Sequence, residues 1–326
     1  MSDHRVLCLG ELLFDRLADN SAASIDEVNS WTSYPGGAPA NVACGLVKLG
    51  TPATFIGCVG KDASGEALVK ELQSVGVDVT GIQYHPTAPT REVYVLRSPT
   101  GDREFAGFGN LPPDCFADAF LQADRLIESL FLEAEYLVLG TLELAYPETR
   151  KAVNKALDLA HKYNLKILLD VNWRSMFWLD PLEATPLIRQ VIKQVDFLKL
   201  STEEAEWLFD TIDPGAIAYR LNSVEGVLVT AGENGCYYCI SESEGHIPAF
   251  GVNVVDTTGA GDAFVAGFLH QLCQCGMKQL QKPETIKNLV VYASAVGALT
   301  TTKPGAIAAQ PTVAEIDVFL LEQSQK

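Results

Sequence analysis

Short runs of β-branched and aliphatic residues recur along this chain, and between them apolar residues return every three or four positions. The first pattern predicts buried strands, the second helices with one apolar face. Strands are expected at Val6 to Leu9, Thr54 to Cys58, Tyr136 to Leu139, Ile167 to Asp170, Phe197 to Leu200 and Val227 to Thr230. Val153, Ala156, Leu157 and Ala160 mark one helical face, and Leu68, Leu72 and Val75 another. Strands alternating with helices imply parallel crossovers, so the expected fold class is α/β, a mostly parallel sheet covered on both sides.

Two stretches break the alternation. Residues 12–35 and 90–108 read as extended, the second as a hairpin turning at Ser98-Pro99-Thr100-Gly101-Asp102, and no helical pattern follows either one directly. Either they pair as a small separate sheet over the carboxyl ends of the main strands, where open α/β sheets bind ligands, or they are surface hairpins that only pack.

Composition narrows the ligand. The chain has 326 residues, 48% of them hydrophobic, enough for one large α/β domain, and no repeat or low-complexity linker divides it. Against 24 Lys and Arg stand 41 Asp and Glu, a net charge of -17 that opposes nucleic-acid and acidic-membrane surfaces and leaves small solutes as the expected partners. The start, "MSDHRVLCLGELLFDRLADN", suits neither a signal peptide nor a spanning helix, and "NLVVYASAVGAL" is too short to cross a bilayer, so a cytoplasmic protein is expected. Of eight cysteines most sit singly in apolar runs, as Cys8, Cys44 and Cys58 do, which suits reduced core thiols. The pairs Cys236/Cys239 and Cys273/Cys275 lack a second pair at zinc-ligand spacing, so no protein-bound metal centre is expected.

Two glycine clusters carry the candidate chemistry. In "DTTGAGDAFVAGFL", residues 256 to 269, Gly259-Ala260-Gly261 is a turn whose amides a ligand can approach, opening into a helix with its dipole end exposed to an anion. Asp262 then sits in the first helical turn, either as a stabiliser of the helix start or as a group with chemistry of its own. In "YPGGAPANVACGLVKLG", residues 34 to 50, Gly36 and Gly37 allow close backbone approach, and Asn41 lies early in an apolar helix, either merely exposed or turned to a ligand. A Walker-type phosphate loop is absent, and no G-x-G-x-x-G follows the first strand, so any nucleotide is held by another device.

Together, "PGGAPANVA" and "DTTGAGDAFVAGF" resemble the paired signatures of the ribokinase-like (PfkB) sugar kinase family. Between and after them, "GCVGKDASGEAL", "DVNWR", "LKLSTEEAEWL", "VTAGENG" and "TKPGA" are similar to the family's other blocks, in the same order. "GELLFD", "YPGGAPANVA", "DVNWR" and "VDTTGAGDAF" resemble its fructokinase branch, particularly the plant and cyanobacterial type. The resemblance implies a ribokinase-like three-layer α/β/α sandwich in one kinase domain over residues 1–326, with a β-sheet lid from residues 12–35 and 90–108. It implies ATP-dependent transfer of the γ-phosphoryl group to a primary hydroxyl of a neutral sugar, D-fructose first, ribose or another neutral sugar second.

By the same resemblance Asp262 takes the general-base position, and the amides of Gly259, Ala260 and Gly261 line an anion hole. Sugar contacts fall to Asp15, Gly36, Gly37, Asn41, Asn172 and Arg174, and nucleotide contacts to Lys199, Ser201, Glu204, Thr230, Gly232 and Gly235. A sugar hydroxyl is a poor nucleophile, so a base must take its proton while amides and metal spread the charge on the moving phosphoryl group. Mg²⁺ is expected to ride on the ATP phosphates, mostly water-coordinated and without a protein cage, with K⁺ as a further candidate ion. A monomer and a homodimer joined through the lid both fit.

The chain departs from the family pattern at three places. Ser201 stands where asparagine is common, Ser294 where the family often has asparagine near the adenine, and Phe108 where kinases of acidic keto-sugars carry an arginine for the substrate carboxylate. Phe108 therefore favours a neutral ketose stacked on the ring, although Arg91 and Arg103 in the same hairpin are candidate replacements for the charge. A catalytically silent relative that binds sugar or nucleotide is the second reading, and the intact Gly259-Ala260-Gly261-Asp262 favours the enzyme.

Overall fold

Alternate side chains of residues 6–9 enter opposite cores, Leu7 and Leu9 one, Val6 and Cys8 the other, which is how a strand buried on both faces reads as a continuous apolar run. The computed structural model describes residues 5–22, 24–97 and 103–324. Its strands in chain order are β1 (Val6–Leu9), β2 (Leu13–Ser21), β3 (Trp31–Gly36), β4 (Ala53–Gly60), β5 (Asp78–His85), β6 (Glu92–Arg97), β7 (Arg103–Gly107), β8 (Tyr136–Leu139), β9 (Lys166–Asp170), β10 (Phe197–Ser201), β11 (Gly226–Thr230), β12 (Cys236–Ile240) and β13 (Ser243–Ile247). Its α-helices are α1 (Ala38–Lys48), α2 (Ala63–Val75), α3 (Glu128–Leu132), α4 (Pro147–Tyr163), α5 (Ala184–Ile192), α6 (Thr202–Phe209), α7 (Pro214–Leu221), α8 (Ala260–Cys275), α9 (Pro283–Thr300) and α10 (Val313–Ser324).

Among the described residues the strands form two sheets. The larger has nine strands in the order β13-β12-β11-β10-β9-β8-β1-β4-β5, parallel except where β12 and β13 fold back at one edge. One face is covered by α1, α2, α8, α9 and α10 and the other by α3 to α7, so the fold is a three-layer α/β/α sandwich. All six expected strands are present, Val6–Leu9 and Tyr136–Leu139 to the residue and the other four within a residue or two. The cysteines of Cys236/Cys239 lie on β12, and all eight in the chain are free thiols.

The smaller sheet has the order β3-β2-β6-β7 and draws its strands from the two stretches that interrupt the alternation. Its central β2–β6 pair is parallel, flanked by antiparallel pairs. The expected turn at residues 98–102 lies outside the described residues. One expectation is corrected: a helix does follow the first stretch directly, because β3 ends at Gly36 and α1 begins at Ala38. Gly37 makes this abrupt join with φ 107°, and a Cβ there would run into the Glu11 carbonyl oxygen.

Small residues set the helix packing behind the site. A Cβ on Gly45 of α1 would come within 2.7 Å of Ala266 Cβ on α8, and one on Gly267 within 2.8 Å of Val296 on α9. The apolar "AFVAGF" run after Asp262 is therefore a helix wedged between two others, which holds the start of α8 rigidly.

Candidate active site

The two aspartates flanking the glycine turn do different work. Asp256 shapes the turn, its Oδ1 accepting from the Thr258 amide (3.0 Å) and hydroxyl (2.7 Å) and its Oδ2 from the Gly305 amide (2.9 Å). Gly259 is the N-cap residue of α8 with φ 76°, and a Cβ on it would lie 2.7 Å from that of Ala306. No side chain caps this helix, which leaves its dipole end open, though the Ala260 amide makes a long bond, 3.3 Å, to the Thr257 carbonyl.

Asp262 does not cap the helix. Its Oδ2 accepts from Asn41 Nδ2 at 2.7 Å, and the residue is 9% exposed. Burial, then the nearby Asp170 charge, push its pKa up to about 6, against the opposing pull of Asn41, Lys199 and Arg174. A residue kept only to stabilise a helix start would be solvated and amide-bonded; this one is held dry, with its proton affinity raised.

Asn41 is buried, which corrects the reading that leaves it merely exposed. Its carbonyl oxygen accepts from Gln310 Nε2 at 2.8 Å, and its side-chain Oδ1 has no donor among the described residues. Gly36 closes β3 opposite Leu13, and a Cβ there would come within 2.8 Å of Asp15 Oδ2. The strand-to-helix turn thus gathers Asp15, Gly36, Gly37 and Asn41 along one edge, and Asn41 ties that edge to Asp262.

A cation stands across from it. The register of β9 and β10 sets Lys199 beside Asp170, and Lys199 Nζ donates to Asp170 Oδ1 at 3.0 Å. The ammonium also lies over the start of α8, 3.1 Å from where a Gly261 Cβ would be. Burial works against the charge, but Asp170, Glu204 and Asp262 hold its pKa above the ordinary lysine value. A buried cation at an open helix start is suited to a phosphate.

Glu204 and Ser201 form a capping box on α6: the Ser201 amide donates to Glu204 Oε2 (2.8 Å), and Ser201 Oγ accepts from the Glu204 amide (3.2 Å). Glu204 Oε1 accepts from the Trp173 amide at 2.8 Å, so it also fixes the loop carrying Asn172 and Arg174. Asn172 adopts φ 36°, and Arg174 is exposed, donating to the Trp173 carbonyl.

The other expected positions are more scattered. Thr230 ends β11 beside Ser201, its hydroxyl on the Leu200 carbonyl, and Gly232 opens the next turn with free space around it. Gly235 is closed off by the Ile247 carbonyl of β13, so there the glycine serves the turn into β12. Ser294 lies in α9 with a buried hydroxyl that has no partner among the described residues.

Phe108 is not an open stacking face. It is 8% exposed, with ring centroids 5.8 Å from Phe116 and 5.0 Å from Phe177. Arg91 is likewise unable to stand in for a missing substrate arginine: it is 1% exposed, forked onto Asp118 (Nε–Oδ2 2.5 Å, Nη2–Oδ1 2.7 Å) and enclosed by Phe108, Phe116, Tyr146 and Phe177. The Arg103 side chain is outside the described ones.

Sequence reasoning missed Asp170, Glu11, Glu143 and the Arg91–Asp118 pair. A charged residue ending an otherwise apolar strand, as Asp170 does in Lys-Ile-Leu-Leu-Asp, was the available signal for the first.

The pfkB family carbohydrate kinase profile matches residues 3–313. The chain belongs to that family. It is similar to a probable fructokinase-2 of Arabidopsis thaliana, 36% identical over 97% of this chain and 95% of the relative. Among solved structures it is similar to a fructokinase with bound ATP from Xylella fastidiosa (TM-score 0.89, 28% identity, 99% of this chain and 100% of that one). It is also similar to a putative ribokinase II from E. coli in complex with ATP and magnesium (TM-score 0.86, 28% identity, 98% and 99%). This kinase is therefore an ATP-dependent carbohydrate kinase with a ribokinase-like fold. Among its described residues no helix is long and apolar enough to cross a membrane.

Proposed function

We propose that this kinase transfers the γ-phosphoryl group of ATP to a primary hydroxyl of D-fructose, with Asp262 as general base. The observation that carries the reading is the placement of Asp262: a buried carboxylate at an uncapped helix start, gripped by Asn41 through one oxygen and facing the Lys199 ammonium. With Oδ2 engaged, Oδ1 is left to take the hydroxyl proton. As negative charge builds on the phosphoryl group, the amides of Gly259 and Gly261 and the Lys199 cation stabilise it, with Ala260 joining by releasing its long bond to Thr257.

Asp15, Gly36, Gly37 and Asn41 would bind sugar hydroxyls, with Asn172 and Arg174 across the cleft. Thr230 and Gly232 would meet the nucleotide, and Ser201 and Glu204 would act through the loops they fix. Gly235 and Ser294 are proposed as support for the nucleotide loops rather than contacts. A divalent ion carried on the ATP phosphates would neutralise their charge. The nearby Asp170 and Glu204 oxygens already accept from Lys199 and backbone amides, so they would meet such an ion through water. Mg²⁺ is the ion proposed; K⁺ would act, if at all, as a separate activator.

Fructose is favoured by the fructokinase relatives and by charge. Within the lid hairpin Arg91 cannot meet a substrate carboxylate, because it is committed to Asp118. The small sheet is proposed as a lid. ADP release measured over fructose, ribose and 2-keto-3-deoxygluconate tests the assignment: highest kcat/KM on fructose is expected, and a win for the acid would overturn it.

A further inference from the structure

Two buried carboxyl groups under the cleft have no part in the mechanism above. Glu11 lies two residues beyond β1, and Glu143 in the 3₁₀ turn Leu142–Ala145 after β8; β1 and β8 are neighbours, so their loops leave the sheet side by side. Glu11 is 5% and Glu143 2% exposed. Glu11 Oε1 accepts from the amide of Ala38, the first residue of α1, at 2.6 Å. The Glu143 carboxyl presses on Gly10, the residue before Glu11, where an added Cβ would come within 2.8 Å of Oε1, and the two carboxyl groups interact electrostatically.

Neither oxygen of Glu143 has a donor among the described residues. Two carboxylates cannot both stay ionised against each other in a dry site, so a proton must lie between them. Burial and the Glu11 charge hold Glu143 far above the ordinary carboxylate range, which makes Glu143 the donor and Glu11 the acceptor. Burial raises Glu11 as well, to about 7. Asp262 and Arg91 are the other charges facing Glu11, and Asp118 and Tyr146 the other groups facing Glu143.

We propose that Glu11 and Glu143 form a positioning pair whose shared proton fixes the amino end of α1, and with it Gly37 and Asn41, for sugar binding. The inference rests on the sugar-kinase reading. Loss of the proton would leave two charges buried beside Asp262, and the escape open to Glu11 is to release the Ala38 amide. The first turn of α1 then shifts, carrying the residues that meet the sugar while leaving the nucleotide side in place.

The test compares wild type, Glu143→Gln and Glu143→Ala for sugar KM and kcat from neutral to alkaline pH. The wild-type KM should rise about tenfold or more at alkaline pH with kcat little changed, the worth of one hydrogen bond to a charged group. Glu143→Gln keeps a donor that cannot ionise, so it should match wild type at neutral pH and lose the alkaline rise. Glu143→Ala should show the raised KM already at neutral pH. An unaltered alkaline rise in Glu143→Gln, or a normal KM in Glu143→Ala, overturns the pair. Infrared difference spectra of the sugar-free proteins at about pH 8, where Asp262 and Glu11 with values of about 6 and about 7 are ionised, give a readout independent of turnover: a protonated-carboxyl band in wild type, absent in Glu143→Gln. If wild type lacks the band the pair is wrong, whereas a wild type that has it but phosphorylates no sugar sinks the kinase reading alone.

Discussion

Asp262 is more useful than it is stabilising. Its pKa of about 6 lies above the ordinary aspartate value, so the folded state binds the proton more tightly than the unfolded chain does. The sign follows: its contribution to stability is fullest below the unfolded pKa and is lost as pH rises through about 6. At neutral pH the ionised group costs about 2–3 kcal/mol at most, from the size of the shift. Asp262→Asn is therefore expected to lower turnover by about a hundredfold to ten-thousandfold and yet to melt no earlier than wild type at pH 7. Turnover with thermal melts checks both halves; retention of more than about a tenth of the activity would return Asp262 to a helix-start residue. The same shift predicts that wild-type kcat/KM falls as pH drops through about 6, because Asp262 in the proposed role of base must be ionised, and that this acidic limb has no counterpart in nucleotide binding measured alone.

The Arg91–Asp118 ion pair helps root the small sheet to the body of the molecule. Arg91 immediately precedes β6, its carbonyl accepts from the Phe14 amide of β2, and its guanidinium is forked onto Asp118 beneath four aromatic rings. Arg91→Met removes one partner and leaves Asp118 buried and unpaired, which should destabilise the fold by about 3–5 kcal/mol. Denaturant unfolding would show it, and the double variant with Asp118→Asn should recover part of the loss. If the sheet closes over sugar, saturating fructose should slow amide exchange in residues 92–97 and 103–107, since closure excludes water that competes for the phosphoryl group. Equal exchange with and without sugar would leave these strands as a packing element.

Across the whole molecule, the proposed preference for a neutral sugar is an electrostatic matter. A net charge of -17 repels acidic sugars at long range, and the Arg91 guanidinium beside Phe108 is already neutralised by Asp118. Desolvating a carboxylate without a partner costs at least a few kcal/mol, about a hundredfold or more in kcat/KM against a neutral ketose. Kinetics for fructose and 2-keto-3-deoxygluconate at low and raised ionic strength would separate the two causes: a preference that fades with salt is steering, and one that persists is the site.

The strands were legible because burial on both faces forces unbroken apolar runs, as in Val6–Leu9 and Tyr136–Leu139, and the interrupting stretches were legible because they lack that signature. Gly259 and Gly37 could be read as special because positive φ and close approach leave no other residue suitable. Local sequence could not say that Asn41 reaches Asp262, 221 positions away, or that Lys199 leans on Asp170 over Gly261. Nor could it show that Arg91 is spent on Asp118, that Phe108 is covered, or that Glu11 and Glu143 are buried together in the loops leaving two neighbouring strands. Those contacts depend on which strands lie side by side and how closely the helices pack over them. Periodicity reports which face of an element is buried, and only the assembled sheet decides which charges are buried together.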